Sequence, residues 1–528
     1  MSSSHLSSDF PHSVFINVFY NNVLDCIELP LTYASLMTRL ISDAGWRLEN
    51  SYTKLPDTFF SCEQPTPVRY AGLTLLNKSL THDLGLKWDI LESSGASIFV
   101  GNELPNGSTP IAQAYAGHQF GHFTNLGDGR AILLGEQITP EGKRLDIQLK
   151  GAGRTKYSRG GDGRAALGPM LREYIISEGM HALGIPTTRS LAVTATGETV
   201  FRNTSLPGAI LTRVAASHIR VGTFQYAAAL GNRENLSALL DYTIRRHDPD
   251  VLSSEEPLFP FLESLIDRQA QLLAHWMLIG FVHGVMNTDN MALSGETIDY
   301  GPCAFMDVYH PDTVFSSIDQ QGRYAYANQP AIAQWNLARL AESLMQLIEG
   351  PPDKAVEKLI PVVNTFSEKY NEYYLAGARK KIGIVTSQDG DLELFESLLN
   401  IMQDTQADFT STFVALGHSL EHDASHLRII AAPAFRSWRT RWQHRLDQES
   451  GSHEDAAARM KLVNPVIIPR NHLVEEALKE AESGNLDTVQ RLLDVLNNPF
   501  TETAENIHYR DGRVNVLSCF SERIVEDI

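Results

Sequence analysis

Cysteine is scarce in this chain: four residues in 528, at Cys26, Cys62, Cys303 and Cys519, none in a C-x-x-C spacing. That excludes a small disulfide-scaffolded domain and gives no support to a zinc ribbon. Basic residues are in deficit as well. Lys and Arg number 44 against 63 Asp and Glu, a formal charge of −19. Such a balance disfavours a general nucleic-acid binder, which needs a basic face for phosphates, but leaves room for a local basic pocket for one nucleotide. No apolar run approaches the roughly 18 residues of a membrane span. No Lys or Arg precedes Arg39, so the opening segment has neither the basic start of a secretory signal nor the arginines of a transit peptide. The expectation is an acidic, soluble, cytoplasmic protein with no membrane or nucleic-acid partner. Its length suggests two to four domains at about 150 residues each.

Three regions separate along the chain. Residues 1–65 mix serine, asparagine and short apolar pieces and read as an extension or wrapping segment. Across 66–225 glycine becomes dense, and the runs RAILLGE, LDIQLKG, SLAVTA and ETVFR alternate with turns, which predicts a mainly antiparallel sheet. One helix interrupts it: in LGPMLREYIISEGMHALG, Leu167, Leu171, Tyr174, Ile175 and Leu183 recur at helical spacing, Pro169 suits the first turn and Gly184 a stop. From 226 to 528 the pattern is helical. The long periodic stretches include PFLESLIDRQAQLLAHWMLIG, IAQWNLARLAESLMQLIEG and DLELFESLLNIMQD. A helix–Gly–helix pair, NHLVEEALKEAESG and NLDTVQRLLDVLNNP, ends before Pro499. A β-rich first part followed by a helical second part is the layout of an α+β, two-lobed nucleotide enzyme.

The most informative stretch is His283-Gly-Val-Met-Asn-Thr-Asp-Asn290, followed by Asp299-Tyr300-Gly301. Asn290 and Asp299 are hard oxygen donors of the kind that hold Mg²⁺ or Mn²⁺ against nucleotide phosphates. Phosphoryl-transfer enzymes of the kinase type place an Asn on a catalytic loop and an Asp in an Asp-aromatic-Gly turn, here entered from an apolar Ile298 strand. Against the kinase loop pattern His283 and Asn290 match, but the catalytic Asp position is Val285, which accepts no proton. A carboxylate reappears at Asp289. Either the base has moved there or general-base chemistry has been lost.

Upstream the other parts follow in chain order. Gly127, Gly129 and Arg130 form a glycine turn before a strand, where backbone N–H groups can face phosphate, although an ordinary β-turn reads the same way. Lys150 ends the strand LDIQLK, and Glu173 lies on the next helix, the places of a kinase's phosphate-pairing lysine and its ion-pair partner. Asp162 and Gly163 sit in a second glycine cluster, either a flap over a ligand or a long exposed turn. Arg213 and Arg220 are seven apart and on a helix would share one face, suited to a polyphosphate or simply to solvent.

The segments YAGHQFGHFTNLGDGRAILLGE, DIQLKGAGRTKYSRGGDGRAALGPMLREYIISEGMHALGIPTTRSLAVT, GFVHGVMNTDN and DYGPCAFMD closely resemble the selenoprotein O family, kinase-fold protein adenylyltransferases long regarded as pseudokinases. The resemblance is dense over residues 65–335. It implies a nucleotide loop at Gly127, Gly129 and Arg130, the lysine–glutamate pair Lys150 and Glu173, a flap at Asp162 and Gly163, and phosphate-binding Arg213 and Arg220. It further implies Asp289 as proton acceptor and Asn290 and Asp299 as metal ligands, Asp299 also lying against the nucleotide. In that family ATP binds flipped relative to a kinase, and AMP passes to Ser, Thr or Tyr hydroxyls of proteins with Mg²⁺ or Mn²⁺. UTP use, a kinase-type phosphotransfer and a silent nucleotide-binding scaffold stay open as alternatives. The resemblance also implies a regulatory Cys303–Cys519 disulfide, with two free thiols as the other possibility. No interface stripe separates from the core helices, so a monomer is expected.

Overall fold

Residues 44–421, 429, 432–510 and 512 are described by the computed structural model of the chain. Strands come early: β1 (Leu48–Glu49), β2 (Phe60–Cys62), β3 (Gly72–Leu76), β4 (Ile111–Gln113), β5 (Ala116–Gln119) and β6 (His122–Asn125). They are followed by β7 (Ala131–Ile138), β8 (Arg144–Lys150), β9 (Ala165–Ala166), β10 (Arg189–Phe201) and β11 (Ser205–Ala215). The large sheet runs β2-β4-β7-β8-β11-β10-β3, with β1 on β7 and β9 on β11. Its pairings are antiparallel, as the Gly-bounded alternating runs predict. Strands β5 and β6 form a separate hairpin.

Early helices are α1 (Lys78–Asp83), α2 (Trp88–Ser94) and α3 (Ala96–Phe99), and α4 (Leu167–Ala182) is the helix expected from its spacing. The chain then turns helical, through α5 (Val221–Ala229), α6 (Arg233–His247), α7 (Leu258–Ile279), α8 (Gln329–Leu344) and α9 (Pro352–Lys381). Last come α10 (Asp391–Asp404), α11 (Phe409–His418), α12 (Pro433–Leu446), α13 (His453–Lys461), α14 (Asn471–Glu482) and α15 (Asp487–Leu496). A short pair, β12 (Phe281–Val282) with β13 (Ala304–Phe305), brackets the His283–Asp299 stretch. Gly280 closes α7 in the left-handed conformation, φ +72°, and turns the chain into β12.

The pleat of the sheet separates two cores. Ile132, Leu134, Ile147 and Leu149 pack with Leu91, Ile98 and Phe99 of the small helices. Leu133, Val193 and Leu211 point the other way, onto Leu171, Ile175 and Ile176 of α4. Helix α4 is covered again by Val474, Leu478, Leu492 and Leu496 of α14 and α15. It is therefore buried nearly all round, its charged Arg172, Glu173 and Glu178 included. Among the described residues no helix is long and apolar enough to cross a membrane.

Two sequence expectations are corrected. Arg213 and Arg220 do not share a helix. Arg213 lies in β11, where Leu211–Val214 pairs with β8, and Arg220 is the extended residue (φ −121°, ψ 164°) capping α5. The β-branched Thr212 and Val214 suit a sheet, and the ladder to β8 overrides the seven-residue spacing. Ile298 enters the Asp299 turn without a strand. Thr297 makes one isolated bridge to Thr187, and Asp299 then adopts φ +60°, which ends any extended run.

Candidate active site

A cavity of about 770 Å³ opens where the sheet meets the helical region, lined by the glycine loop, the end of β8, the face of α4 and the Asp289–Gly301 stretch. Each element delivers its residue for a local reason. At Gly127 the backbone takes φ +132°, and a Cβ there would lie 2.4 Å from the Tyr157 ring. Only glycine allows that loop to lie flat against its neighbour. Strand β8 carries Lys150 to the cavity edge, and Nζ pairs with Glu173 Oε2 at 2.6 Å and Asp299 Oδ1 at 3.1 Å.

Asp299 is the hub. Arg213 Nη1 lies 2.5 Å from its Oδ1, and Arg220 Nη1 lies 2.5 Å from its Oδ2. Arg213 Nη1 also reaches Glu173 Oε1 at 3.3 Å, so Lys150 and Arg213 share both acids. Burial alone would raise the Asp299 pKa, but Arg220, Arg213 and Lys150 outweigh it and hold the carboxyl well below its ordinary range. Arg220 is tied further, donating to the Asp289 carbonyl at 2.8 Å and stacking on the Tyr115 ring with 4.6 Å to its centroid.

Asp289 sits in the short turn Thr288–Asn290, buried, with its Oδ1 lacking a hydrogen-bond partner among the described residues. Desolvation pushes its pKa up to about 6, with Arg220 pulling against it. The turn is seated under the β5–β6 hairpin: the His118 amide donates to Thr288 Oγ1 at 2.7 Å and the Phe120 amide to Asn287 Oδ1 at 3.0 Å. Val285 is buried and its side chain offers no acceptor, while the His283 side chain is turned to the Ile298 carbonyl, 2.9 Å away, and serves the loop's shape.

Asn290 Nδ2 donates to the Val285 carbonyl at 2.9 Å, which leaves Oδ1 as the side-chain atom available to a cation. Asn290 Oδ1 and the Asp299 carboxylate are hard oxygen donors on the cavity wall of the kind a divalent cation takes; such a cation would share Asp299 with Lys150, Arg213 and Arg220. No group of three or more His, Cys, Asp or Glu suited to a metal occurs among the described residues. In the second glycine cluster Gly160–Asp162 is exposed, and Arg202 holds the Asp162 carboxylate at 2.9 Å. Gly163, at φ +72°, packs against the Gly153 backbone so closely that a Cβ would collide at 2.1 Å. Arg130, Asp162 and Gly163 all line the cavity. Cys303 is buried, and burial pushes its thiol up to about 12. Cys519 lies outside the described residues.

The cavity wall also holds residues that the motifs did not single out: Tyr115, Gln119, Tyr157, Arg172, and Glu475, Leu478 and Glu482 of α14. Tyr115 and Gln119 lie in the same glycine-rich stretch as Gly127–Arg130, but nothing local marks α14, which is brought in by tertiary contacts.

A family model described as protein adenylyltransferase SelO matches residues 45–497. Relatives named protein nucleotidyltransferase YdiU align over nearly the whole chain. That of Geobacillus kaustophilus is 56% identical over 471 residues, 89% of this chain and 97% of its own length. Those of Halalkalibacterium halodurans and Clostridium beijerinckii are 55% and 54% identical, covering 88% and 92% of this chain and 95% and 98% of theirs. With a match of that extent, the chain belongs to the SelO family of protein adenylyltransferases and is an enzyme of the nucleotidyltransferase class.

Proposed function

We propose that this enzyme transfers AMP from ATP to Ser, Thr or Tyr hydroxyls of proteins, within a kinase-like two-lobed fold in which the sheet and the helical region are the lobes. The observation that carries the reading is the convergence of Lys150, Arg213 and Arg220 on Asp299 in the cavity, whose wall also holds a buried Asp289 and a Val285 whose side chain offers no base.

Lys150, Arg213 and Arg220 suit the β- and γ-phosphates of a triphosphate that enters tail first, with the glycine loop and the Asp162–Gly163 segment closing over it. The α-phosphorus then lies toward Asp289. The acceptor hydroxyl oxygen attacks that phosphorus in line, the bond from Pα to the bridging oxygen breaks, and pyrophosphate leaves with that oxygen. Asp289 takes the hydroxyl proton. Its desolvated carboxylate is a better proton acceptor than an exposed one. Arg213 and Arg220 hold the departing pyrophosphate, and Arg220, bonded to the Asp289 carbonyl, keeps leaving group and base in one frame. Asn290 and Asp299 would hold Mg²⁺ or Mn²⁺, whose chemistry here is neutralisation of charge developing on the phosphates.

The test is transfer of label to protein from ATP marked at either the α- or the γ-phosphorus, with divalent metal and acceptor present. Label from α alone is the expected result. Label from γ alone would make the protein a kinase, and none from either would make it a nucleotide-binding scaffold.

A further inference from the structure

Arg213 is held on a second side that the scheme above does not use. Gln148 of β8 stands directly opposite it in the ladder, Gln148↔Arg213, so strand register brings the two side chains to one face of the sheet. Gln148 Oε1 accepts from Arg213 Nε at 3.1 Å and also from Nη2. Its Nε2 donates to Asp128 Oδ2 at 3.1 Å. Asp128 is the residue between Gly127 and Gly129, and the same Oδ2 accepts the Gln113 amide at 3.0 Å. Asp128, Gln148 and Arg213 are all at most 3% exposed.

The chemistry of this chain leaves little choice of side chain. A guanidinium only donates and a carboxylate only accepts, so the link between them must accept at one end and donate at the other. Glutamine does this; glutamate would set two carboxylates face to face in the core, and an apolar residue would take the acceptor from Arg213 Nε and Nη2 and one of its two donors from Asp128.

We propose that Asp128 and Gln148 are positioning residues that couple the glycine loop to Arg213, so that the loop's hold on the nucleotide and the arginine's hold on its phosphates are set together. This rests on the reading of Arg213 as a phosphate ligand. It gives the aspartate of the loop a role that its glycines do not have: fixing where the loop lies relative to the far end of the triphosphate.

The experiment is equilibrium binding of MgATP to the full chain, with thermal melting as a companion. Gln148→Met and Asp128→Ala each weaken ATP binding about ten-fold. Because both break one chain, the double variant binds no more than about three-fold worse than the weaker single. Asp128→Asn, whose side-chain oxygen can accept both hydrogen bonds, recovers binding to within about three-fold of the parent. Melting shifts with unchanged ATP affinity, or a double variant whose loss is the product of the singles, overturn the coupling. If Gln148→Met does not fold, the contrast of Asp128→Ala with Asp128→Asn still decides: equal affinities overturn it. A parent chain that binds ATP but passes no α-label to protein sinks the transfer reading and leaves the coupling standing. A parent that binds no ATP sinks both.

Discussion

Asp289 keeps its place because nothing larger than hydrogen stands at residue 117. A Cβ on Gly117 would lie 2.0 Å from Asp289 Oδ1 and 2.7 Å from its Cγ. Gly117→Ala therefore pushes the carboxylate off its position while leaving Lys150, Arg213 and Asp299 untouched. The expected result is a fall in the rate of transfer of about 100-fold, with ATP affinity changed less than about three-fold, since a misplacement of about 1 Å can cost that much in rate. Steady-state kinetics with separate ATP binding checks it. Asp299→Ala does the opposite. It strips Lys150 and the buried Arg213 and Arg220 of their common partner, so the protein melts lower and transfer is abolished, read by calorimetry and label incorporation. The sequence made much of this legible: His283, Asn290, Asp299, Lys150 and Glu173 are short-range motif positions. Gly117 was not, because the reason for a glycine there is a side chain 172 positions away that only folding brings near.

Among the elements, α9 is the longest helix described, and its last residue, Lys381, lies in a core. Its Nζ donates to Asn464 Oδ1 at 2.8 Å and sits 4.1 Å from the centre of the Phe413 ring. Burial lowers its pKa to about 7 from an ordinary 10.5. Between those values the unfolded chain binds the proton and the folded chain does not, so stability rises with pH across about 7 to 10.5 and is lowest below 7. Lys381→Met removes that slope: melting temperature measured at pH 6, 8 and 10 flattens relative to the parent. An unchanged slope in the variant would assign it to other groups. Periodicity predicted α4, α7, α8, α10, α14 and α15. The same spacing argument failed at Arg213 and Arg220, where seven residues separate a strand from a helix cap. Side-chain spacing carries information only within one element, and the turn at Ala216–Ile219 had no glycine or proline to announce it.

At the scale of the molecule, the C-terminal helices belong to the site. Arg172, next to Glu173 on α4, donates to the Cys303 carbonyl and to Asn471 Oδ1, both at 2.7 Å, and to Glu475 Oε1 at 3.0 Å. One guanidinium thus fastens α14 to the stretch that follows the Asp299 turn, and α14 supplies a wall of the cavity. Sequence alone gave α14 and α15 as helices but not their destination, because their apolar faces fit any core. Two variants separate packing from site geometry. Leu492→Ala in α15 leaves a hole beneath α4 and costs about 2–5 kcal/mol of stability. Arg172→Met leaves Cys303, Asn471 and Glu475 without their donor and costs about 3 kcal/mol. With similar stability losses, Arg172→Met raises the ATP KM about ten-fold and Leu492→Ala leaves it within about two-fold, because only the arginine holds the stretch that follows the Asp299 turn. Parallel melting curves and ATP titrations measure both. A KM that follows stability equally in the two variants would show that α14 acts on the site only by holding the molecule together.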